Sequence, residues 1–388
     1  MRRSARAASM RGLEADAMRA LDDAFGSREE AVTAFAPGRS TLVGEHVDYA
    51  AGMVLCIAID LGVAVALRLS PDGMYRAVSA GQRVARVNPA PAGDLGDRVF
   101  AAGLALRRYG VDVPPYEVAL AADVPAGAGL ASSAAVICAV IAAVLRIVGG
   151  RLGAHDVVSA ALTAERDIVG VPCGSLDQHA VVESPEGGAL LLDCRNDSWT
   201  AVPWPWRDVV LCACNTGEQH DVGGAEYRSR RAQTELALRE LGVTSAQEIT
   251  AEMIEAAGLP VVEGRRARHV ASETARAVQA ARAMREGDAH HLGRLMTESH
   301  RSLRDDHEVS TQALDAAVAA ALRVPGCHGA RMVGAGFGGT VVALVESDSA
   351  SECAAAMSGG AGGHACSSWV LRPCAGLMHL ASDVVTSG

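Results

Sequence analysis

Lysine is absent from all 388 residues, and the 35 basic side chains are all arginine. The chain is thereby excluded from the P-loop nucleoside triphosphatases, whose G-x-x-x-x-G-K-[ST] loop needs a lysine, and from the protein kinases with their strand lysine. It cannot form a Schiff base with a carbonyl substrate or with pyridoxal phosphate. Aromatic residues are scarce, at 3%, so the interior has to be built from Ala, Val, Leu and Ile. There is no basic tract, and 45 acidic residues give a net charge of −10, so no nucleic-acid partner is expected. None of the ten cysteines has zinc-ribbon or C-x-x-C spacing; Cys212 and Cys214 form the one close pair. Many lie in apolar runs and read as small core residues, which suits a reducing cytoplasm. The longest apolar run, Ala134–Val148, is broken by Arg146 and is short for a membrane span. The N-terminal MRRSARAASM lacks the apolar stretch of a secretory signal. A cytoplasmic protein with no membrane partner is the expectation.

Apolar residues make up 49% of the chain and charged residues 21%, enough for a packed interior in a chain whose length suits two domains. The mixture of strand and helix patterns predicts an α+β fold in both halves. Leu13, Ala17, Leu21 and Phe25 recur every four residues before Gly26 and predict a short amphipathic helix. Strands are predicted at Ala31–Ala36, Val54–Ile59, Val63–Leu69, Ala189–Cys194 and Val209–Cys214. Helices are predicted at Ser132–Val148, stopped by Gly149-Gly150, and at Asp156–Val169. The segment Arg195–Arg207, with Pro203 and Pro205 among Trp199, Trp204 and Trp206, reads as a connector. It places the division at 1–205 and 206–388. Helices then follow at Ala225–Leu241, Ser245–Ala257, Arg265–Arg285, Ala289–Leu303 and Thr311–Leu322. Gly329–Val333 and Thr340–Val345 read as a hairpin, Ser349–Ser367 as a surface helix or loop, and Trp369–Arg372 as a last strand.

Five segments concentrate chemistry. Ala36–Tyr49 packs Arg39, Glu45, His46 and Asp48 between apolar strands. Carboxylates at a strand end can accept bonds from several hydroxyls of one small molecule, although a solvated turn with an ion pair reads the same way. Val124–Ala135 is a glycine-rich loop running into a helix through Ser132 and Ser133. Its N–H groups and the helix dipole favour an anion, and a serine hydroxyl there can reach a metal; a plain turn with a serine cap is the alternative. In Glu165–Gln178, Asp177 follows a Pro/Gly turn and suits a general base or, more simply, a helix cap. Gly334–Gly339 satisfies G-x-G-x-x-G, but a strand rather than a helix follows it. A dinucleotide site is therefore disfavoured against a glycine-rich hairpin supporting a phosphate loop. Glu298–Ser310 is a dense charged helix end that reads most simply as a solvated face.

Together these segments resemble the galactokinases of the GHMP family of small-molecule kinases. Arg39–Ile59 is similar to the sugar-kinase signature G-R-x-N-L-I-G-E-H-x-D-Y-x-x-G-x-V-L-P-x-A-I. Pro125–Ala134 resembles the phosphate loop P-x-G-x-G-L-S-S-S-A, and Gly334–Gly339 the third GHMP motif. Cys173–Gln178, Ala225–Arg231 and Glu298–Ser310 match stretches specific to galactokinases. The resemblance runs from about residue 30 to 345, in order. It departs at Thr41 for asparagine, Cys56 for proline, Ala131 for the first loop serine, and Asp97 and Phe100 for a W-x-x-Y near the adenine pocket.

The resemblance implies an N-terminal domain like domain 2 of ribosomal protein S5 packed on a ferredoxin-like C-terminal domain, with the site between them. It implies ATP and magnesium as cofactors and phosphorylation of galactose at the C1 hydroxyl. By matching positions, Asp177 is the catalytic aspartate and Arg39 the arginine beside it. Glu45, His46, Asp48, Gly174 and Tyr227 border the sugar. Gly127, Ala128, Gly129, Leu130, Ala131, Ser132 and Ser133 form the phosphate loop, and Ser133 and Glu165 hold magnesium. Two alternatives remain open at this point: a kinase for a related sugar such as N-acetylgalactosamine, and a non-catalytic galactose sensor.

Overall fold

A computed structural model describes residues 2–26, 29–218, 225–362 and 366–387. In chain order the elements are α1 (Arg2–Phe25), β1 (Val32–Val43), β2 (Met53–Leu69), β3 (Tyr75–Ser79), β4 (Gln82–Arg86), α2 (Gly96–Arg108), β5 (Tyr116–Ala122), α3 (Ser132–Val148), β6 (Leu152–Gly153) and α4 (Ala154–Leu162). There follow α5 (Leu176–Glu183), β7 (Gly188–Asp193), β8 (Ser198–Pro203), β9 (Val209–Asn215), α6 (Ala225–Leu241), α7 (Ala251–Ala257), α8 (Val261–Glu286) and α9 (Ala289–Asp305). The chain ends with α10 (Gln312–Ala321), β10 (Cys327–Val333), β11 (Thr340–Glu346), α11 (Ala350–Gly360), β12 (Ser367–Leu371), β13 (Pro373–Cys374), α12 (Leu377–Leu380) and β14 (Val385–Thr386).

The first half is organised by β2. The two predicted strands Val54–Ile59 and Val63–Leu69 are one strand of 17 residues, long enough to pair with β1 along most of its length and with β5 and β7 elsewhere. The sheet runs β4-β3-β5-β2-β7-β8, with β1 and β13 also paired to β2. α1 lays Ala17 and Leu21 against Phe35, Ala64 and Ala66. The alanine- and valine-rich α3 is buried at 11 of its positions. With so few aromatics, this is how the core closes: small side chains let helix and sheet approach closely.

The connector expected at Arg195–Arg207 is corrected by β8, which pairs antiparallel with β7 from Asp193↔Ser198 to Gly188↔Pro203. β8 is an edge strand with mostly exposed residues, so it lacks the apolar alternation that marks a half-buried strand.

The second sheet runs β10-β11-β9-β12, antiparallel throughout. Numbered within this half, that order is 2-3-1-4, the ferredoxin-like arrangement, with α10 and α11 packed on one face. The division at 205/206 falls between β8 and β9, which lie in different sheets. The last stretch of the chain returns, however: β13 pairs with β2, and β14 pairs parallel with β6. All ten cysteines are thiols outside any disulfide, and no helix among the described residues is long and apolar enough to cross a membrane.

Candidate active site

The end of β1 carries Arg39 and hands over to the turn bearing Glu45, His46 and Asp48. Arg39 donates its backbone N–H to Leu130 O at 3.0 Å and its guanidinium to Gly129 O, so β1 is bonded directly to the glycine-rich loop. The same guanidinium pairs with Asp177 Oδ1 at 2.7 Å. Burial opposes the Arg39 charge, and Asp177 and Glu45 more than offset it. Asp177 sits in the first turn of α5 and about a third of its side chain is exposed, so it pairs with Arg39 rather than serving as a helix cap.

The loop Gly127–Ala131 turns through three left-handed residues, Gly127, Gly129 and Ala131. Ala131 takes the cap position of α3 and has no side chain to satisfy the first helical N–H groups. They are left for an anion. A side chain at Gly129 would meet Val333 O at 2.7 Å, so the loop lies backbone to backbone against the third glycine motif. This contact, and the strand β11 that follows the motif, correspond to the supporting hairpin and not to a dinucleotide fold.

Beyond the loop, Ser133 Oγ donates to Glu165 Oε1, and Gln178 Nε2 donates to Glu165 Oε2 at 2.7 Å. Glu165 lies on a π-helical turn, Thr163–Val169, that continues α4 and replaces the regular helix expected there. Burial raises its pKa. Arg98, in the first turn of α2, donates Nε to Ser133 Oγ and lies 4.0 Å from Glu165. A cation thus rests on two hard oxygen donors beside the loop, the donor chemistry that magnesium takes alongside nucleotide phosphates.

Asp48 lines a cavity of 520 Å³ with Tyr49, Arg166, Cys173, Cys194 and Arg231. Burial, then the negative charge of Asp177, raises its pKa to about 6. A Cβ at Gly174 would come within 1.6 Å of Asp48 Oδ2, so only glycine leaves room for that carboxylate. Glu45 and His46 do not line the cavity. Glu45 accepts from Arg331 Nη1 at 3.0 Å and from Gly334 N–H at 2.6 Å, and His46 donates Nε2–H to Ala335 O at 2.9 Å. Both therefore bind the turn to the C-terminal half. Tyr227 packs its ring 5.6 Å from His46 and 6.0 Å from Tyr49. A larger cavity, 680 Å³, lies among α7, α8 and α9 and contains none of these groups.

Arg98, Gln178, Arg331, Glu273 and His307 escape the sequence reading. Arg331 carried a signal: it is a lone charge in an apolar strand. Asp97, at the W-x-x-Y position, is buried and accepts from Ala92 N–H, Gly93 N–H and Arg86, so here it anchors a loop.

Three family models match the chain. They are the galactokinase galactose-binding signature over residues 20–69, the N-terminal domain of GHMP kinases over 97–184 and the C-terminal domain of GHMP kinases over 280–363. The galactokinase of Homo sapiens is 37% identical over 353 residues, covering 87% of this chain and 89% of that one. That of Roseiflexus sp. strain RS-1 is 37% identical over 330 residues, covering 81% and 83%. Lactococcus lactis galactokinase complexed with galactose superposes with a TM-score of 0.87 at 28% identity, covering 92% of this chain and 97% of that one. A mevalonate kinase shares the fold, with a TM-score of 0.63 at 17% identity and covering 88% and 99%.

Proposed function

The chain belongs to the galactokinase family of GHMP kinases, ATP-dependent sugar kinases, and from that premise we propose that it transfers the γ-phosphoryl group of ATP to the C1 hydroxyl of galactose. The observation that carries the site assignment is a single guanidinium, Arg39, in contact with both Gly129 of the phosphate loop and Asp177. In this reading Asp177 accepts the proton of the C1 hydroxyl as its oxygen bonds to the γ-phosphorus and ADP leaves. Arg39 fixes the Asp177 side chain through their ion pair and stabilises charge on the transferring group.

The N–H groups of Gly127–Ser133 position the phosphates. Ser133 and Glu165 would hold magnesium with them; bound there, it supplies charge neutralisation. Asp48, fitted against Gly174, accepts bonds from the sugar hydroxyls, and Tyr227 borders them. Glu45 and His46 act by holding that turn in place.

The test is kcat/KM for galactose, glucose, galactosamine and N-acetylgalactosamine on one preparation. A buried polar group left unpaired costs about 1–3 kcal/mol, and more if it is charged, so with one or two such groups glucose, the C4 epimer, should be disfavoured by about 10²–10⁴-fold. Comparable values for glucose and galactose would sink the reading. Preference for the N-acetyl sugar would move the assignment to that substrate.

A further inference from the structure

Three imidazoles meet behind the sugar cavity. His307 lies between His46 and His269, with ring centroids 4.5 Å from each, and all three are buried. The segment that carries His307 ends the charged motif Glu298–Ser310. Arg301, Arg304 and Asp305 of that motif are exposed, while its end is bonded into the protein. Arg230 donates to His307 O at 2.9 Å and to Glu308 O at 3.1 Å, while the buried Arg266 bonds Asp306 O and, at 2.7 Å, Glu308 Oε2. Val309 O accepts the N–H of Phe337 at 2.7 Å, which ties the segment to the third glycine motif.

The hydrogen bonds determine where the protons are. Ala335 O can only accept, so His46 carries its proton on Nε2. Neutral His46 then accepts at Nδ1, and the donor there is the hydroxyl of Tyr49 at 3.0 Å. That uses the single Tyr49 proton. The Tyr49 oxygen can then only accept, so His307 Nε2 at 3.2 Å must be a donor; Thr234 is a further hydrogen-bond partner of Tyr49. His307 is left with a lone pair on Nδ1, and Nδ1 is indeed buried without a partner. The charged groups facing the cluster are Arg230, Arg266, Arg276, Arg331, Glu45 and Glu273. Burial comes first in keeping all three rings neutral, with His269 pushed down to about 3.

We propose that His307, acting through Tyr49, is a positioning residue for sugar binding: its Nε2–H fixes the Tyr49 hydroxyl and hence the tautomer of His46, which braces Tyr227 and the Asp48 turn. The inference deepens the proposed function and rests on it for the occupant of the cavity. The chain of protons includes neither Asp177 nor the phosphate loop, so it governs sugar affinity and not the transfer step.

Two measurements test it. Selective ¹⁵N labelling of histidine in the wild-type protein should show His46 and His307 as neutral Nε2–H tautomers that do not titrate between pH 5 and 9. An Nδ1–H tautomer or a titration at either residue overturns the proposal, whatever the substrate. In the second, His307→Leu should raise KM for galactose about tenfold, the effect of one buried hydrogen bond, with KM for ATP and kcat within about twofold. Tyr49→Phe should shift KM the same way. His307→Gln, whose amide N–H can reach the place of Nε2, should recover most of the loss. Parallel changes in both KM values, a change in kcat alone, or no recovery by glutamine reduces His307 to a packing residue. If the wild-type protein uses another hexose, the function reading falls, and the same KM comparison on that hexose decides the proposal.

Discussion

Asp177 and Asp48 are two carboxylates of one site with opposite surroundings. Asp177 has an arginine at 2.7 Å, whereas Asp48 has burial and the charge of Asp177 against it. The first is the proposed base. Asp177→Asn should bind galactose and nucleotide by calorimetry yet lose at least about 10²-fold in kcat, the low end for removal of a general base. Near-normal turnover would remove Asp177 from the mechanism. Asp48 responds to pH instead. Its folded pKa, about 6, lies above the usual carboxylate value of 3.8, so the folded state holds the proton more tightly. Stability from this group is full below pH 4, declines as pH rises towards 6, and levels off above. Asp48→Asn should therefore raise thermal stability at pH 7.5 by about 1–2 kcal/mol, after allowance for partial solvation, and change it little at pH 4. In the wild type, KM for galactose should rise as pH falls below 6, because the protonated acid has fewer acceptors. A stability gain that is the same at both pH values would show that folding does not raise the Asp48 pKa.

Among the elements, α3 was legible in full because an unbroken apolar run ends at two glycines; the observed helix is Ser132–Val148. α6 likewise begins and ends where its pattern does. What failed has physical causes. β8 is an exposed edge, and β3 and β4 carry mixed polarity on five residues each. The π-helical turn Thr163–Val169 adds one residue per turn, which a 3.6-residue period cannot reveal. The turn matters, because it carries Glu165 to Ser133 across the start of α3. The loop glycines and the Asp48 turn were readable as a linear pattern. Arg98, His307 and Arg331 were not, because their role depends on partners 35, 258 and 286 residues away. At this scale, Ser133→Ala and Glu165→Gln should each raise the magnesium concentration needed for half-maximal rate and weaken Mn²⁺ binding to the nucleotide complex by electron paramagnetic resonance. KM for galactose should stay nearly unchanged, since hard cations bind these oxygens and not the sugar turn. Unaltered metal dependence in both variants would show that the cation sits elsewhere.

Across the whole molecule, the two halves are held together at the sugar turn by buried charge rather than by an apolar seam alone. Arg331, on β10 of the second sheet, reaches Glu45 and Thr41 O, each at 3.0 Å, and is fully buried. Its Nη2 lies 3.9 Å from Glu273, which accepts the N–H of Gly44 at 2.8 Å. Arg276 and Arg331 hold Glu273 down to about 2, outweighing its burial. Arg331 and Glu273 thus bond to Thr41, Gly44 and Glu45, at the end of β1 and in the turn after it, so the assembly of the halves and the shape of the turn are a single structure. Removing one partner leaves the other charge uncompensated, at a cost of about 3–5 kcal/mol. Arg331→Met should therefore lower the melting temperature by about 5–15 °C. It should also raise KM for galactose, because the turn loses its anchor. Glu45→Gln combined with Arg331→Met removes both charges and should recover a large part of the stability. Recovery of stability without recovery of galactose affinity is the expected pattern, because a neutral pair restores the fold's energy but not the fixed geometry of the turn. If the double variant is no more stable than Arg331→Met, the pair is not what couples the two halves.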